Sequence, residues 1–282
     1  MNRKHTAELQ VLICTFGEEG IRRVANGIHP ALDGVEYLVS WQASDGVEVP
    51  KALASRSDFI ISRTDTTGLS KNRNHAFSVS TAPLLLISDD DVDYRPEWLR
   101  TILTEFASHP EADIIAFRYE SEIAGKHYPA REASLSSPPK GYFVTSFELA
   151  LRRQSAVGKI VFNENFGIGA FFPSGEEDVF VKDCLDAGLR GIYLPLTIAR
   201  HAGSTTSGRN MMSPDRPRTK GAVFLRLHPR DWPLRMAVHA LREIPLWKKG
   251  LVPDPLSYCV NWLRGVRQAR RLGVFSNKLR KV

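Results

Sequence analysis

Short apolar runs alternate with amphipathic stretches through the first 120 residues. Residues 10–15, 37–41, 59–62 and 84–87 each read as a strand. Helix signals fill the intervals: residues 21–25, a segment through Lys71, Arg73 and His75 with Ser70 as its expected N-cap, and Pro96 followed by Trp98, Leu99, Ile102, Leu103 and Phe106. Strands and helices in this alternation predict right-handed crossovers and a mostly parallel, Rossmann-like central sheet flanked by helices. After residues 114–117 the pattern loosens. Residues 120–145 are rich in Ser, Pro, Gly and aromatics and read as an irregular region where specificity is built. Residues 147–154 read as a helix. A further helix opens at Gly175-Glu176-Glu177-Asp178 and is closed by Gly188, and Ile192-Tyr193-Leu194 reads as a strand. Beyond it, His201 begins a polar loop, and the stretch from Gly203 to Pro214 is a candidate lid.

The fourth apolar run is the informative one, because Leu84-Leu85-Leu86-Ile87-Ser88 leads straight into Asp89, Asp90 and Asp91. Four apolar residues in succession suit a strand buried on both faces. Carboxylates resist burial, so the chain must leave the sheet there, at the carboxyl edge where open α/β sheets hold ligands. Strand alternation sends Asp89 and Asp91 to one side and Asp90 to the other. Two converging carboxylates suit a hard divalent cation, although read alone the segment is more often an acidic turn.

Charge is divided unevenly along the chain. The 282 residues carry a net +7, but residues 216–282 hold 16 Lys/Arg against 3 Asp/Glu, which leaves residues 1–215 with 22 against 28. An acidic body with a basic tail points to a polyanionic partner for the tail alone. We therefore expect a catalytic domain at 1–210 and a basic helical extension at 211–282. In the extension Tyr258, Cys259, Trp262, Leu263, Val266 and Ala269 recur at helical spacing beside Arg264, Arg267 and Arg271, a pattern that suits an anionic membrane surface. Packing within the protein and binding to nucleic acid are the alternatives, with nucleic acid not expected. Three scattered cysteines match no metal spacing and suit a reducing compartment. No apolar stretch has the length of a membrane span, and the run at residues 11–13 is too short for a signal peptide. The expected location is cytoplasmic, peripheral on the inner face of the plasma membrane.

Five elements in order carry a resemblance: Leu12-Ile13-Cys14-Thr15-Phe16, Gly68-Leu69-Ser70-Lys71-Asn72-Arg73-Asn74, Ser88-Asp89-Asp90-Asp91-Val92 with Pro96-Glu97-Trp98-Leu99, Gly175-Glu176-Glu177-Asp178-Val179-Phe180, and His201-Ala202-Gly203-Ser204-Thr205. Together they resemble family 2 glycosyltransferases of the GT-A fold over about residues 10–206. The resemblance implies inverting transfer of a sugar from a nucleoside diphosphate sugar, UDP-sugar favoured, to a hydroxyl of a glycan or lipid-linked acceptor in bacterial surface glycan synthesis. It implies Mn²⁺ or Mg²⁺ at Asp89 and Asp91, with His201 as a further ligand. Thr15, Phe16, Arg73, Asp89 and Asp90 fall at nucleotide-binding positions, and Glu177 falls at the position of the general base. Two departures stand out. Relatives usually carry Asp as the base, which leaves Glu177 and Asp178 both open. The Asp-rich turn after the second strand is replaced by Trp41-Gln42-Ala43-Ser44-Asp45, where Gln42 or Asp45 takes its place. The competing classes are a nucleotidyltransferase, disfavoured by the acidic Phe16-Gly17-Glu18-Glu19-Gly20 turn, and a non-catalytic binding protein with a nucleic-acid-binding tail.

Overall fold

The computed structural model describes residues 7–121, 126–201 and 212–274. They divide into two compact units. The first comprises Met1–Val161 and Cys184–Gly203, the second Phe162–Asp183 and Ser204–Val282. The boundary expected at residue 210 follows the sequence, whereas this division also groups residues 162–183 with the C-terminal helices.

The first unit is built on a nine-stranded sheet. Its first half follows the apolar pattern closely. β1 (Leu9–Phe16), α1 (Gly17–Asn26), β2 (Val35–Gln42), α2 (Lys51–Ala54), β3 (Phe59–Thr64), α3 (Leu69–Val79) and β4 (Leu84–Asp89) alternate, and the strands lie in the order β3-β2-β1-β4, all parallel. Every residue of β1 except Phe16 is buried, and so is β4 up to Asp89. Gln10 sits within β1, where its amide bonds Glu36, Thr81 and the Thr81 and Ala82 backbone, so the buried polar group is satisfied. Register matters for the site: Phe16 lies opposite Gln42, and Cys14 opposite Asp89, so the ends of β1, β2 and β4 share one edge.

The second half is mixed. β5 (Val92–Asp93), α4 (Pro96–Ser108), β6 (Ile114–Glu120), β7 (Ala133–Ser134), β8 (Leu149–Arg152), α5 (Arg153–Ala156) and β9 (Gly191–His201) follow, with α6 (Glu176–Asp186), which belongs to the second unit up to Asp183, between the last two. β8 is wedged antiparallel between β4 and β6, β9 is parallel to β6, and β5 and β7 pair antiparallel with β9. The helix expected at 147–154 is therefore a 3₁₀ turn (Ser146–Glu148) leading into β8. A capping box at Thr145 and Glu148 opens the turn as it would open a helix. The next residues then take backbone partners on two neighbouring strands at once, which an isolated helix does not supply.

The second unit holds α7 (Asp215–Leu227), α8 (Trp232–Lys248) and α9 (Pro255–Arg271). Asp254 caps α9 by accepting from the Ser257 amide, and Pro255 takes the first helical position. α7 and α9 approach through glycines: a Cβ built on Gly221 would lie 2.1 Å from the Trp262 carbonyl oxygen, and one on Gly265 would lie 1.8 Å from that of Arg218. Tyr258, Trp262, Val266 and Ala269 are buried there with Phe166, Phe172 and Val179. Of the two readings of that stripe, membrane contact and packing, these four residues follow packing, while Leu263 stays exposed. The stripe's apolar periodicity is satisfied by helix packing inside the unit. Among the described residues no helix is long and apolar enough to cross a membrane.

Candidate functional site

The three consecutive aspartates are distributed among three different sets of partners. Asp89 ends β4, where its carboxylate pairs with the Arg73 guanidinium at 2.9 Å and accepts from the Ser146 hydroxyl at 3.3 Å. Arg73 is only 2% exposed, in the second turn of α3. That helix starts one residue before the expected cap. Gly68, at φ 109°, is the N-cap, and Ser70 lies buried in the first turn. A positive φ at this turn favours glycine over a side-chain cap. Asp90 faces α1 instead. Thr15 Oγ1 donates to it at 2.6 Å, and Arg23 donates twice at 3.0 Å. Burial pushes the Asp90 carboxyl above its usual range, outweighing the Arg23 and Thr15 bonds.

Asp91 meets His201, whose Nε2 lies 3.2 Å from its carboxylate. The strand pairing explains this: Val92 of β5 is opposite His201, the last residue of β9. Burial pulls the Asp91 carboxyl upward, but the His201 hydrogen bond and charge overcome it and hold the group below its usual range. The His201 ring stacks on Phe147 at 5.1 Å, which sets its orientation. Beside Phe147, Glu148 is fully buried and bonded to Lys126, the Tyr128 hydroxyl and the Thr145 amide. The irregular region expected from the aromatics of 120–145 thus closes around one buried ion pair.

Asp91 and His201 are the residues here that could hold a divalent cation, and in this structure the imidazole nitrogen is bonded to that carboxylate. One carboxylate and one imidazole nitrogen converge at a strand edge, and among the described residues no group of three or more His, Cys, Asp or Glu gathers around a point. Asp89 stands beside this pair but is engaged by Arg73.

Around the ends of β1 and β2, the Gln42 amide donates to Thr66 Oγ1 at 2.9 Å and to the Gly68 carbonyl at 3.2 Å, tying β2 to the start of α3. Asn72 donates to the Thr15 carbonyl at 3.0 Å. The turn after β2 is held by Arg63, which lies over Trp41 and donates to the Ser44 and Val47 carbonyls. Asp45 is exposed on this turn, and Phe16 is 57% exposed at the end of β1. Burial lifts the neighbouring Cys14 thiol to about 12, which keeps it un-ionised and unreactive.

Glu176, Glu177 and Asp178 occupy the first turn of α6, within the second unit. Gly175 precedes them at φ 88°, with Val223 where its Cβ would be. Glu176 is buried, whereas Glu177 and Asp178 are half-buried and accessible. The candidate lid falls largely on residues 202–211, outside the described residues.

Three pairings thus join expected site residues: Thr15 with Asp90, Arg73 with Asp89, and Asp91 with His201. Arg23 and Ser146 were not anticipated. Arg23 reads in sequence as the partner of Glu19 one helical turn back, a pair it also makes, and nothing local marks Ser146.

No curated protein matches this chain. Among solved structures, residues 1–349 of S. aureus TarS align with a TM-score of 0.56 at 16% identity, covering 94% of this chain and 92% of that one. The same fragment in complex with UDP-GlcNAc aligns at 0.59 with the same identity and coverage. At that identity the likeness establishes the fold, a mixed α/β sheet flanked by helices of the GT-A type. The model of the family described as "Glycosyl transferase family 2" matches residues 11–170, a stretch that contains β1, α3 and the strand-end aspartates, and the chain belongs to that family.

Proposed function

We propose that this glycosyltransferase moves a sugar, with inversion, from a UDP-sugar to a hydroxyl of a glycan or lipid-linked acceptor in bacterial surface glycan synthesis. The observation that carries the reading is the strand-end network. Asp89 with Arg73 of α3, Asp90 with Thr15, and Asp91 with His201 gather where β1, β4 and β9 end, in a family 2 chain. A TarS structure of the same fold in complex with UDP-GlcNAc supports the choice of donor class.

Asp91 and His201, with Asp89 beside them, would hold Mn²⁺ or Mg²⁺, which supplies charge neutralisation to a departing diphosphate. Arg73 adds a fixed positive charge near the start of α3, a favourable place for phosphate oxygens. Thr15, Phe16, Gln42 and Asp45 border the nucleoside end, and Asp90 is held by Arg23 for the ribose or sugar. Glu177 takes the proton of the acceptor hydroxyl as that oxygen bonds to the anomeric carbon and the bond to the diphosphate oxygen breaks. Asp178 is the neighbouring alternative base. The enzyme works at the cytoplasmic face of the membrane, peripherally attached through its C-terminal helices.

The test is paired. Glu177→Gln is expected to lower kcat by about 10²- to 10⁴-fold and leave UDP-sugar binding intact. Asp91→Ala is expected to abolish the Mn²⁺-dependent part of UDP-sugar binding in calorimetry. Full activity in Glu177→Gln transfers the base role to Asp178. UDP-sugar affinity indifferent to Mn²⁺ and to Asp91 defeats the metal-assisted reading.

A further inference from the structure

α8 exposes its apolar side. Pro233, Leu234, Ala237, Val238, Leu241 and Pro245 recur at intervals of one to four residues along one face, and all are exposed, Leu234 by 68% and Leu241 by 65%. The opposite face buries Glu243, which Arg216 grips with two bonds of 2.8 and 2.9 Å. A helix packed only for solubility would place the leucines inward and the charge outward. α9 adds to the surface. Its inner stripe is filled by Tyr258 and Trp262, yet Leu256 is 74% and Val260 55% exposed on its outer side. The Arg270 guanidinium over the Trp232 ring brings the end of α9 back to the start of α8. Half of the large hydrophobic side chains exposed among the described residues lie between Leu234 and Leu272.

The surrounding charge selects the occupant. Arg242, Lys248 and Lys249 are exposed on or just after α8, and Arg264, Arg267 and Arg271 on α9. Residues 216–282 sum to +13, so a second copy docking face to face would bring like charges together. Anionic headgroups would meet the same charges favourably, with the leucines entering the acyl boundary. No described helix crosses a membrane, so the mode is lying on the surface. We propose that the outer face of α8, continued by Leu256 and Val260 of α9, is a docking surface for an anionic lipid membrane. This deepens the peripheral placement proposed above and is independent of the sugar chemistry.

Co-sedimentation of the full chain with vesicles tests it, using phosphatidylcholine alone and phosphatidylcholine mixed with phosphatidylglycerol. The chain is expected to bind the anionic vesicles, and to release them as salt is raised. The double variant Leu234→Ser, Leu241→Ser is expected to lose roughly tenfold or more in partitioning, since two exposed leucines no longer enter the apolar layer. The variant Arg242→Gln, Lys248→Gln, Lys249→Gln should lose about fivefold per charge removed. It keeps every leucine, so it decides the matter if the serine variant fails to fold. Absence of binding, equal binding to both vesicle types, or unchanged binding by both variants overturns the proposal. So does a dimer in gel filtration that the serine variant dissolves, since the face would then join two copies. Metal-dependent UDP-sugar binding is measured without vesicles, so a failed membrane result and a failed catalytic reading are told apart.

Discussion

Both units pair the charges they bury, but they differ in where they gather them and in how much apolar surface one helix leaves bare. The sheet unit draws ionisable groups inward at its strand ends and gives each a partner: Asp89 has Arg73, Asp90 has Arg23, Asp91 has His201, and the buried Glu148 has Lys126. The helical unit buries Trp262 and Tyr258 through glycine contacts but leaves leucines on its surface. Paired charges at a sheet edge are costly to assemble, and such clusters are common where proteins bind ligands. Exposed leucines beside basic side chains are likewise unfavourable in water. The difference is between paired charge gathered at strand ends and apolar side chains left bare along one helix.

That contrast can be broken most sharply at the α7–α9 crossing. Gly265→Ala should favour α9 by helix propensity, by about 1 kcal/mol. The added methyl instead meets the Arg218 carbonyl at 1.8 Å, so we expect a net loss of about 3 kcal/mol or more, read by urea denaturation of the helical unit with Trp fluorescence. A neutral or stabilising result would show that the two helices are not closely packed.

Acid provides the next test, because each unit holds a histidine whose pKa is pulled down to about 4, His29 in the sheet unit and His239 in the helical unit. In both, burial is the main cause. A lowered imidazole pKa means that the unfolded chain binds the proton first, near pH 6.5, so stability is full above that value and falls as pH drops toward 4. His29 is 6% exposed and packs edge-on or tilted against Tyr37 and Phe59, and its share of the loss is expected to be roughly 2–3 kcal/mol. His239 is half-buried, so water screens its share to less. His29→Gln should flatten the pH slope of unfolding between pH 7 and 4 more than His239→Gln does. The reverse order would invert the comparison.

The smallest effect is expected on α8. Leu241→Ser should change folding stability by about 0.5 kcal/mol or less, because the side chain is already 65% exposed. A larger loss in thermal melting would mean that this face is covered in the protein as it exists in solution.

The parallel half of the sheet was legible in the sequence because its strands are four- to six-residue apolar runs separated by helical periods, and each pairs with neighbours of the same kind. β8 was not legible. Leu149-Ala150-Leu151 follows a genuine capping box and has no strand-specific period, so only its position between β4 and β6 decides against a helix. Within the site, Asp89, Asp90, Asp91, Arg73 and His201 were visible as residue types in motifs. Their partners were not, since Arg23 is 67 residues from Asp90 and Ser146 is 57 from Asp89. In the tail the same periodicity marks α9 as amphipathic but leaves its Trp262 stripe open between a membrane surface and packing, and only tertiary contacts decide for packing.

By itself, then, the sequence determined which segments are strands at the ligand edge, which carboxylates emerge there, and that basic charge accumulates beyond residue 215. Those features follow from local rules, the cost of burying charge and the periods of strand and helix. Tertiary structure alone decided which guanidinium or imidazole each aspartate meets and which face of each C-terminal helix is left for something outside the chain. Both are settled by contacts between residues far apart in sequence, and a linear pattern carries no record of distance in space.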